Sequence, residues 1–397
     1  MSESRCRTFK YRLHPTKRQQ SALSDLLSKQ GELYNAALEA RRGAWAWEKR
    51  SQSYIDDCRV LTELWTVRPD VLECGVTVCR GTLKRLDRAF SDFYRRCRRG
   101  EKPGYPRFRS RSRFDSVQWE DRSGWKLDEA RCRLRLLGIG EVKVRLHRPV
   151  RGVAKAITVK REGSKWWVSI RCVDVPAEPL PTTGRSVGID LGVHNLVATS
   201  EGKLIPAGRY LRCSKDELGR AQRDLARKHL GSKRRKKAGA RLGALHRRIT
   251  NRRRDELHKL SRGLVNAYDV ICYEHLSPKK MSRRPKPKSD GKGGYLKNGA
   301  RAKSGLNRSI HDASWGTLVA MVSYKAEDAG RALIAVEPRF TSQRCPSCEH
   351  VDKMNRNKER FCCVSCGFSG HADLVAATNI LRAGRARQLI SAAEGRN

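Results

Sequence analysis

Val187-Gly188-Ile189-Asp190-Leu191-Gly192 decides how this chain is read. Aliphatic residues flank one carboxylate, and a glycine closes the run, so the segment reads as a buried strand with an acid inside it. Such an acid costs free energy unless it is paired, hydrogen-bonded or bound to a cation. Two readings fit: a turn residue hydrogen-bonded ahead of Gly192, or a cation ligand. Two acids further along favour the second. Glu274 ends the apolar run Val270-Ile-Cys-Tyr273, where an ordinary strand-end acid is the alternative. Asp373 lies in Gly370-His-Ala-Asp-Leu-Val-Ala-Ala-Thr-Asn-Ile380, on the first turn of the last expected helix. An acid there also complements the helix dipole with no ion at all.

Taken together, in this order and on these elements, the three acids suggest phosphodiester chemistry. Two-ion cleavage needs several carboxylates around a pair of divalent cations about 4 Å apart. Hard oxygen ligands suit Mg²⁺. An RNase H-like sheet supplies one acid mid-strand, one at the end of a later strand and one on a closing helix. The expectation is therefore that Asp190, Glu274 and Asp373 are catalytic and hold two Mg²⁺ ions. Asp269 and Glu337 are nearby rivals, and Glu337 reads as a structural acid before Pro338 or as a support for a ligand. His194, His275 and His371 each neighbour a candidate acid; surface exposure or hydrogen bonding to a ligand is the expected role.

Fourteen cysteines fall into two groups. Nine are scattered from Cys6 to Cys272 with no repeating spacing and read as free thiols. The remaining five lie between Cys345 and Cys366. Among these, Cys345-Pro-Ser-Cys348 and Cys363-Val-Ser-Cys366 form two knuckles that can close four thiolates around one structural Zn²⁺ with no open position. Disulfides are the alternative, and a reducing compartment argues against them. Spacing makes Cys363 the ligand and Cys362 a spare thiol.

The chain has 85 Lys+Arg against 41 Asp+Glu, a formal net charge of +44 over 397 residues. That excess repels itself unless a polyanion neutralises it, and a phosphate backbone is the matching partner. No acid occurs between Asp224 and Asp255, while Lys233, Arg234, Arg235, Lys236 and Lys237 and then Arg252, Arg253 and Arg254 recur. Arg107 and Arg109 belong to a second tract around Tyr105 and Phe108. These are the expected nucleic-acid contacts, of the kind that track a backbone without reading sequence. Trp45, Trp47 and Tyr105 could stack on bases or pack internally. Met1 to Arg7 has no apolar segment behind its charges, no run is long enough to span a bilayer, and the basic stretches lack an apolar face. A cytoplasmic protein without a membrane partner is expected.

Near the N-terminus, Thr8–His14 alternates as a strand, and helical spacing follows through Leu23, Leu26, Leu27, Leu33, Tyr34 and Leu38. A second helix is expected from Val76 to about Arg99, ending at the Gly100–Gly104 turn. From Phe114 to Asp174 short alternating runs predict a small antiparallel barrel interrupted by those helices. Pro176–Gly184 reads as a linker and the main boundary. Beyond it come strand, turn and strand, a basic helical region over Asp216–Ala267, a loop over Ser277–Gly305, a helix near Ser314–Ala329 and a strand over Ala332–Val336. The fold class is thus α+β and α/β multidomain.

Several of these stretches resemble the TnpB family of transposon-encoded RNA-guided nucleases, relatives of compact type V CRISPR effectors. The resemblance rests on Gly188-Ile-Asp-Leu-Gly-Val193, Tyr273-Glu-His-Leu276, Leu306-Asn-Arg-Ser-Ile310, Thr341-Ser-Gln-Arg-Cys-Pro-Ser-Cys348, Phe361-Cys-Cys-Val-Ser-Cys-Gly367 and His371-Ala-Asp373. Tyr11-Arg-Leu-His-Pro-Thr16 and Tyr34-Asn35 are similar to the family's opening. It implies a wedge-like β-barrel from residues 1–14 and 105–180, a helical recognition insertion at 15–104, a RuvC-like nuclease domain from 185–340 and 370–397, and a zinc ribbon at 341–369. It also implies a protein that carries a guide RNA and cleaves matching target DNA beside a short flanking motif; the oligomeric state is left open, with a monomer favoured. Val375 stands where the family has Asn, Glu349 where it has Gly, and His275 where an acid is common. The alternatives are a CRISPR effector, a guided repressor that binds without cleaving, and an RNase H-like transposase.

Overall fold

The computed structural model describes residues 5–71, 73–291 and 293–394, so Met1–Ser4 and the last three residues of the expected domain ranges lie outside it. The chain divides into two compact units, Met1–Pro176 and Ala177–Asn397.

The first unit is built on strand β1 (Arg7–His14), whose alternation buries Phe9, Tyr11 and Leu13 on one face. Helices α1 (Lys17–Glu48), α2 (Tyr54–Val67) and α3 (Val76–Arg98) follow before the sheet resumes. Capping boxes at Thr16/Gln19 and Ser53/Asp56 start the first two by satisfying amide groups the helix leaves open. Strands β2 (Ser116–Trp119), β3 (Trp125–Asp128), β4 (Arg133–Leu136), β5 (Gly140–Arg145), β6 (Val153–Glu162) and β7 (Lys165–Val173) complete an antiparallel sheet in the order β2-β6-β7-β1-β5-β4-β3. Leu23, Leu27, Leu38, Val78 and Leu86 from the helices share one core with Tyr11, Trp119, Val144 and Val168 from the strands.

The sheet is an open half-barrel, where a barrel is expected from the sequence. Its margins β2 and β3 are only four residues each. At β2 the outer edge is covered by α3: a Cβ on Gly81 would lie 2.8 Å from the Gln118 carbonyl oxygen, and Arg85 donates to the Ser116 carbonyl at 2.8 Å. A helix laid on an edge satisfies it without closing the sheet.

In the second unit, the segment expected to be a linker is tied down. Glu178 and Leu180 donate their N–H groups to the carbonyls of Asp328 (3.1 Å) and Ala329 (3.0 Å). The N–H groups of Thr183 and Gly184 donate to Asp269 at 2.9 and 2.7 Å, and Arg331 pairs with the same carboxylate. Strands β8 (Ser186–Asp190), β9 (Asn195–Thr199) and β10 (Leu204–Pro206) form an antiparallel meander. Helices α4 (Tyr210–Cys213), α5 (Lys215–Ala226) and α6 (Lys233–Ala267) lead to β11 (Val270–Glu274), which lies parallel to β8. The expected loop at 277–305 instead holds α7 (Pro278–Met281), the short pair β12 (Lys288–Ser289) and β13 (Tyr295–Leu296), and the start of α8 (Ala300–Ala313). Helix α9 (Trp315–Ala329) and strand β14 (Ala332–Val336), parallel to β11, give the sheet order β10-β9-β8-β11-β14. A three-stranded insert of β15 (Arg356–Asn357), β16 (Arg360–Cys362) and β17 (Ser369–His371) precedes α10 (Ala372–Glu394). Among the described residues no helix is long and apolar enough to cross a membrane.

The two-residue period of strands decides what this sheet presents. Val187, Ile189 and Ile271 enter a core with Leu257, Leu264, Leu318 and Val322 of α6 and α9. Gly188 and Cys272 face the other way, against α10: a Cβ on Gly188 would lie 2.1 Å from the Ala377 carbonyl oxygen, and one on Gly384 would lie 2.2 Å from the Cys272 sulfur. Two glycines therefore let α10 rest directly on the strands.

Candidate active site and cysteine cluster

Gly188 and Cys272 are register partners in the parallel pair. Asp190 and Glu274 lie two residues beyond them, on the face that α10 covers, and Asp373 sits on the first turn of α10. Topology thus directs all three acids toward one region. Their charges interact: burial first, then Glu274 and Asp373, raise the Asp190 carboxyl from its ordinary value to about 7. Burial also raises Glu274, while Thr341 and Arg356 oppose that shift.

Two of the three acids have a side-chain partner. Asn195 donates to Asp373 at 3.2 Å, and Arg356 pairs with the other Asp373 oxygen at 2.9 Å. Thr341 donates to Glu274 at 2.8 Å, and its own carbonyl accepts from Asn379 of α10 at 2.8 Å. Among the described residues, the one group of three or more ligand-type side chains closed to within 4.8 Å is the four cysteines; the three acids are not drawn that tightly together. One arginine, Arg356, acts on all three acids. The donor set is hard oxygen, which suits Mg²⁺, and a divalent cation would relieve the repulsion that raises Asp190.

The rivals separate clearly. Asp269 is held by Thr183, Gly184 and Arg331 in the tied segment, and Glu337 is exposed. His194 hydrogen-bonds Arg209 at 3.1 Å, and the Nδ1 of His371 accepts the Asp373 N–H at 3.3 Å. His275 is exposed. Val375 packs with Cys345, Phe361, Cys363 and Ala372 in the core beneath the cysteine insert.

The sulfurs of Cys345, Cys348, Cys363 and Cys366 lie within 4.8 Å of one another, with Cys345–Cys366 and Cys348–Cys363 each at 3.6 Å. The Cys366 N–H, then that of Ser365, hold the Cys363 thiol down to about 6. Four converging sulfurs with one already favouring thiolate fit a tetrahedral Zn²⁺. Cys362 is exposed and outside the cluster. Asn355, fully buried, ties the insert together by donating to Gln343 O at 2.9 Å and accepting from the Val364 N–H at 2.9 Å.

The basic residues singled out in the sequence divide into free and engaged. Arg107, Lys233, Arg234, Lys236, Lys237, Arg252 and Arg254 are exposed. Arg235 instead caps α5 through the carbonyls of Leu225 (2.9 Å) and Lys228 (2.8 Å), and Arg253 pairs with Asp312 at 2.7 Å. The Arg109 guanidinium lies 5.1 Å from the Tyr34 ring centre. Arg356, Asn195 and Thr341 went unrecognised in the sequence. Thr341 opens the first cysteine motif and Asn195 follows the Asp190 loop, whereas nothing marks Arg356 among 85 basic residues.

Fold and site together define a mixed α/β protein with an N-terminal antiparallel half-barrel, an acid-bearing sheet and a four-cysteine insert, of Cas12f-like fold. The family model OrfB_IS605, described as "Probable transposase", matches residues 169–284, and that of the Cas12f1-like TNB domain matches 315–380. "Putative RNA-guided DNA endonuclease InsQ" of Escherichia coli (strain K12) is 33% identical over 306 residues, covering 77% of this chain and 73% of the relative. A "Putative RNA-guided DNA endonuclease" of Streptomyces pristinaespiralis is 34% identical over 389 residues, covering 96% and 90%. The solved Cas12f1–sgRNA–target DNA complex aligns with a TM-score of 0.56 at 14% identity, over 95% of this chain and 98% of that one, a likeness of fold. The chain belongs to the TnpB/OrfB_IS605 family.

Proposed function

We propose that this protein is an RNA-guided DNA endonuclease whose second unit is a RuvC-like, RNase H-like nuclease domain. The observation that carries the reading is the shared face: Asp190 and Glu274 project from β8 and β11 on the side that α10 covers, and Asp373 stands on the first turn of that helix. The relatives' names and the excess of basic charge support the same reading. In domain terms, residues 185–340 and 370–397 form the nuclease, 341–369 the zinc ribbon, 1–14 with 105–180 the wedge-like sheet, and 15–104 the recognition insertion.

Asp190, Glu274 and Asp373 would hold two Mg²⁺ ions, which supply charge neutralisation and activate water when bound. The chain's own residues prepare for this. Asn195 and Thr341 each fix one carboxylate oxygen of Asp373 and Glu274, leaving the other oxygen of Glu274 open. Asn379 holds the Thr341 backbone, so α10 sets the orientation of both acids. Arg356 supplies a cation beside Asp373 that attracts a phosphate as readily as it does the carboxylate. Cys345, Cys348, Cys363 and Cys366 hold structural Zn²⁺. The partners are a guide RNA and target DNA, with base pairing selecting the sequence and protein contacts tracking the backbone.

The test is reconstitution with guide RNA and a matching target in Mg²⁺. Asp190→Ala should lose cleavage while keeping guide-dependent DNA binding. Undiminished cutting by that variant refutes the assignment.

A further inference from the structure

At the C-terminal end of α3 the first unit exposes a set of aromatic rings where burial is normally favoured. Tyr94 is 48% exposed, Tyr105 43% and Phe108 48%, although Phe90 beneath them is only 6% exposed. Tyr105 meets Phe90 at 5.7 Å and Phe93 at 5.2 Å, both edge to face, with interplanar angles of 87° and 74°. Tyr94 packs on Phe93 at 5.3 Å and on Phe90 at 6.2 Å. Arg42 lies 5.3 Å from the centre of the Phe108 ring, and the same guanidinium acts on the Tyr105 hydroxyl. Pro103 and Pro106 flank Tyr105 closely, and Pro106 is buried, so the segment carrying the ring is restrained.

Charge says what would cover these rings. Between Asp92 and Arg113 the sequence has nine Lys+Arg and two Asp+Glu, a net charge of +7. Arg98, Arg99, Arg107, Arg111 and Arg113 are exposed. A basic partner is repelled here, and a neutral apolar one covers the rings but leaves the arginines without counter-charge. A polyanion carrying flat apolar faces satisfies both, because its phosphates meet the arginines and its bases meet the rings.

We propose that Tyr94, Tyr105 and Phe108 form a stacking platform for unpaired bases of the guide RNA, a proposal that rests on the guided-nuclease reading above. RNA is chosen over the target strand because rings this exposed need a resident partner, and the guide is the polyanion the protein carries continuously. Duplex bases are stacked on one another and offer no free face, so the platform selects single strands.

The experiment measures binding of a labelled oligouridine 15-mer to the full chain by fluorescence anisotropy across a salt series, with duplex RNA and oligothymidine as further arms. Tyr94→Ala, Tyr105→Ala and Phe108→Ala should each weaken oligouridine binding by about five- to one-hundred-fold. The salt slope should be unchanged, because no cation is removed, duplex affinity should hold within about twofold, and Tyr105→Trp should retain wild-type binding. Unchanged oligouridine affinity in all three, an equal loss on duplex, a reduced salt slope, or a loss confined to oligothymidine overturns the platform. So does binding of an acidic protein that these variants abolish while oligouridine binding persists. Tyr94 is on the helix surface, so its alanine variant keeps the test alive if Tyr105→Ala fails to fold. Mg²⁺-dependent cleavage of a guide-matched target by the wild-type protein is assayed in parallel: absent cleavage with oligouridine binding that the ring variants lose sinks the nuclease reading alone, whereas cleavage with binding unchanged in those variants sinks the platform alone.

Discussion

In the absence of divalent ions, Asp190→Asn should stabilise the protein, and only above acidic pH. The folded carboxyl is raised from 3.8 to about 7, by burial first and then by Glu274 and Asp373. Below about pH 4 the acid is protonated in both the folded and unfolded states, so it costs nothing. Between pH 4 and 7 the unfolded state gives up its proton first, and the penalty on the folded state grows; above 7 it is complete. A shift of roughly three pH units at about 1.4 kcal/mol each puts the ceiling near 4 kcal/mol. For a unit of this size that is a gain of roughly 8–16 °C in melting temperature at most. Asparagine keeps the shape and can still accept the Leu191 N–H that the carboxylate accepts. The assay is calorimetry of both proteins in chelator at pH 8 and pH 4.5. The expected result is a clear gap at pH 8 that nearly closes at pH 4.5, and that also narrows at pH 8 when Mg²⁺ or Mn²⁺ is supplied. Equal melting at pH 8, or a gap of the same size at both pH values, would sink the reasoning, because either outcome means that repulsion and burial do not act on this carboxylate.

Three further outcomes follow from the packing. Elemental analysis should find one zinc per chain, which Cys348→Ser should abolish and Cys362→Ser should leave in place; equal zinc loss in both would move the ligand assignment. Gly188→Ala places a Cβ 2.1 Å from the Ala377 carbonyl and should cost about 3 kcal/mol or more in denaturant unfolding. Gly263→Ala on α6, where no atom lies within 4 Å, should instead gain up to about 1 kcal/mol, so similar effects at the two sites would contradict the close approach of α10. Asp57→Ala strips Arg41 of its 2.6 Å partner and leaves it with Asp87 at 3.3 Å; a loss of about 3–5 kcal/mol is expected, largely recovered by adding Arg41→Met.

What the sequence revealed and what it hid differ for physical reasons. Strands β8, β11 and β14 were legible because each is a short apolar run between turns, and the acids stood out by interrupting or ending such runs. The cysteine spacing carried its own geometry. Helices α2 and α8 were missed because few of their described residues are buried: Leu61 and Asp57 in one, Ile310 and Ala313 in the other. In α2 the stripe is Tyr54, Cys58, Leu61 and Leu64, mostly half-buried and interleaved with polar residues, so its period is faint in the sequence; α8 has no such stripe. The tied segment 177–184 was read as a linker because its bonds go through backbone groups and the side chain of Asp269, which leave no pattern in composition. The half-barrel was read as closed because alternation identifies strands but not which edges remain unpaired. Among the basic residues, exposure separates Arg234 from Arg235, and only the contacts of Arg235 with the carbonyls of Leu225 and Lys228 reveal that it serves the fold.

The least legible feature is the one on which the acid arrangement depends. Asp373 reaches the sheet only because α10 lies directly on β8 and β11, and it lies there only because residues 188 and 384 have no side chain. Glu274 is oriented from the same helix, through Asn379 and Thr341. Arg356, which counters the acids, belongs to β15 of the cysteine insert, and the insert runs through β17 straight into α10. The cysteine cluster, the arginine and Asp373 therefore share one short stretch of continuous chain, and Glu274 is bonded to Thr341 at its start. Loosening the four sulfurs should release Arg356 from Asp373 and blur the first turn of α10 together. The cluster thereby helps to fix Asp373 and, through Thr341, Glu274, even though no sulfur belongs to their site.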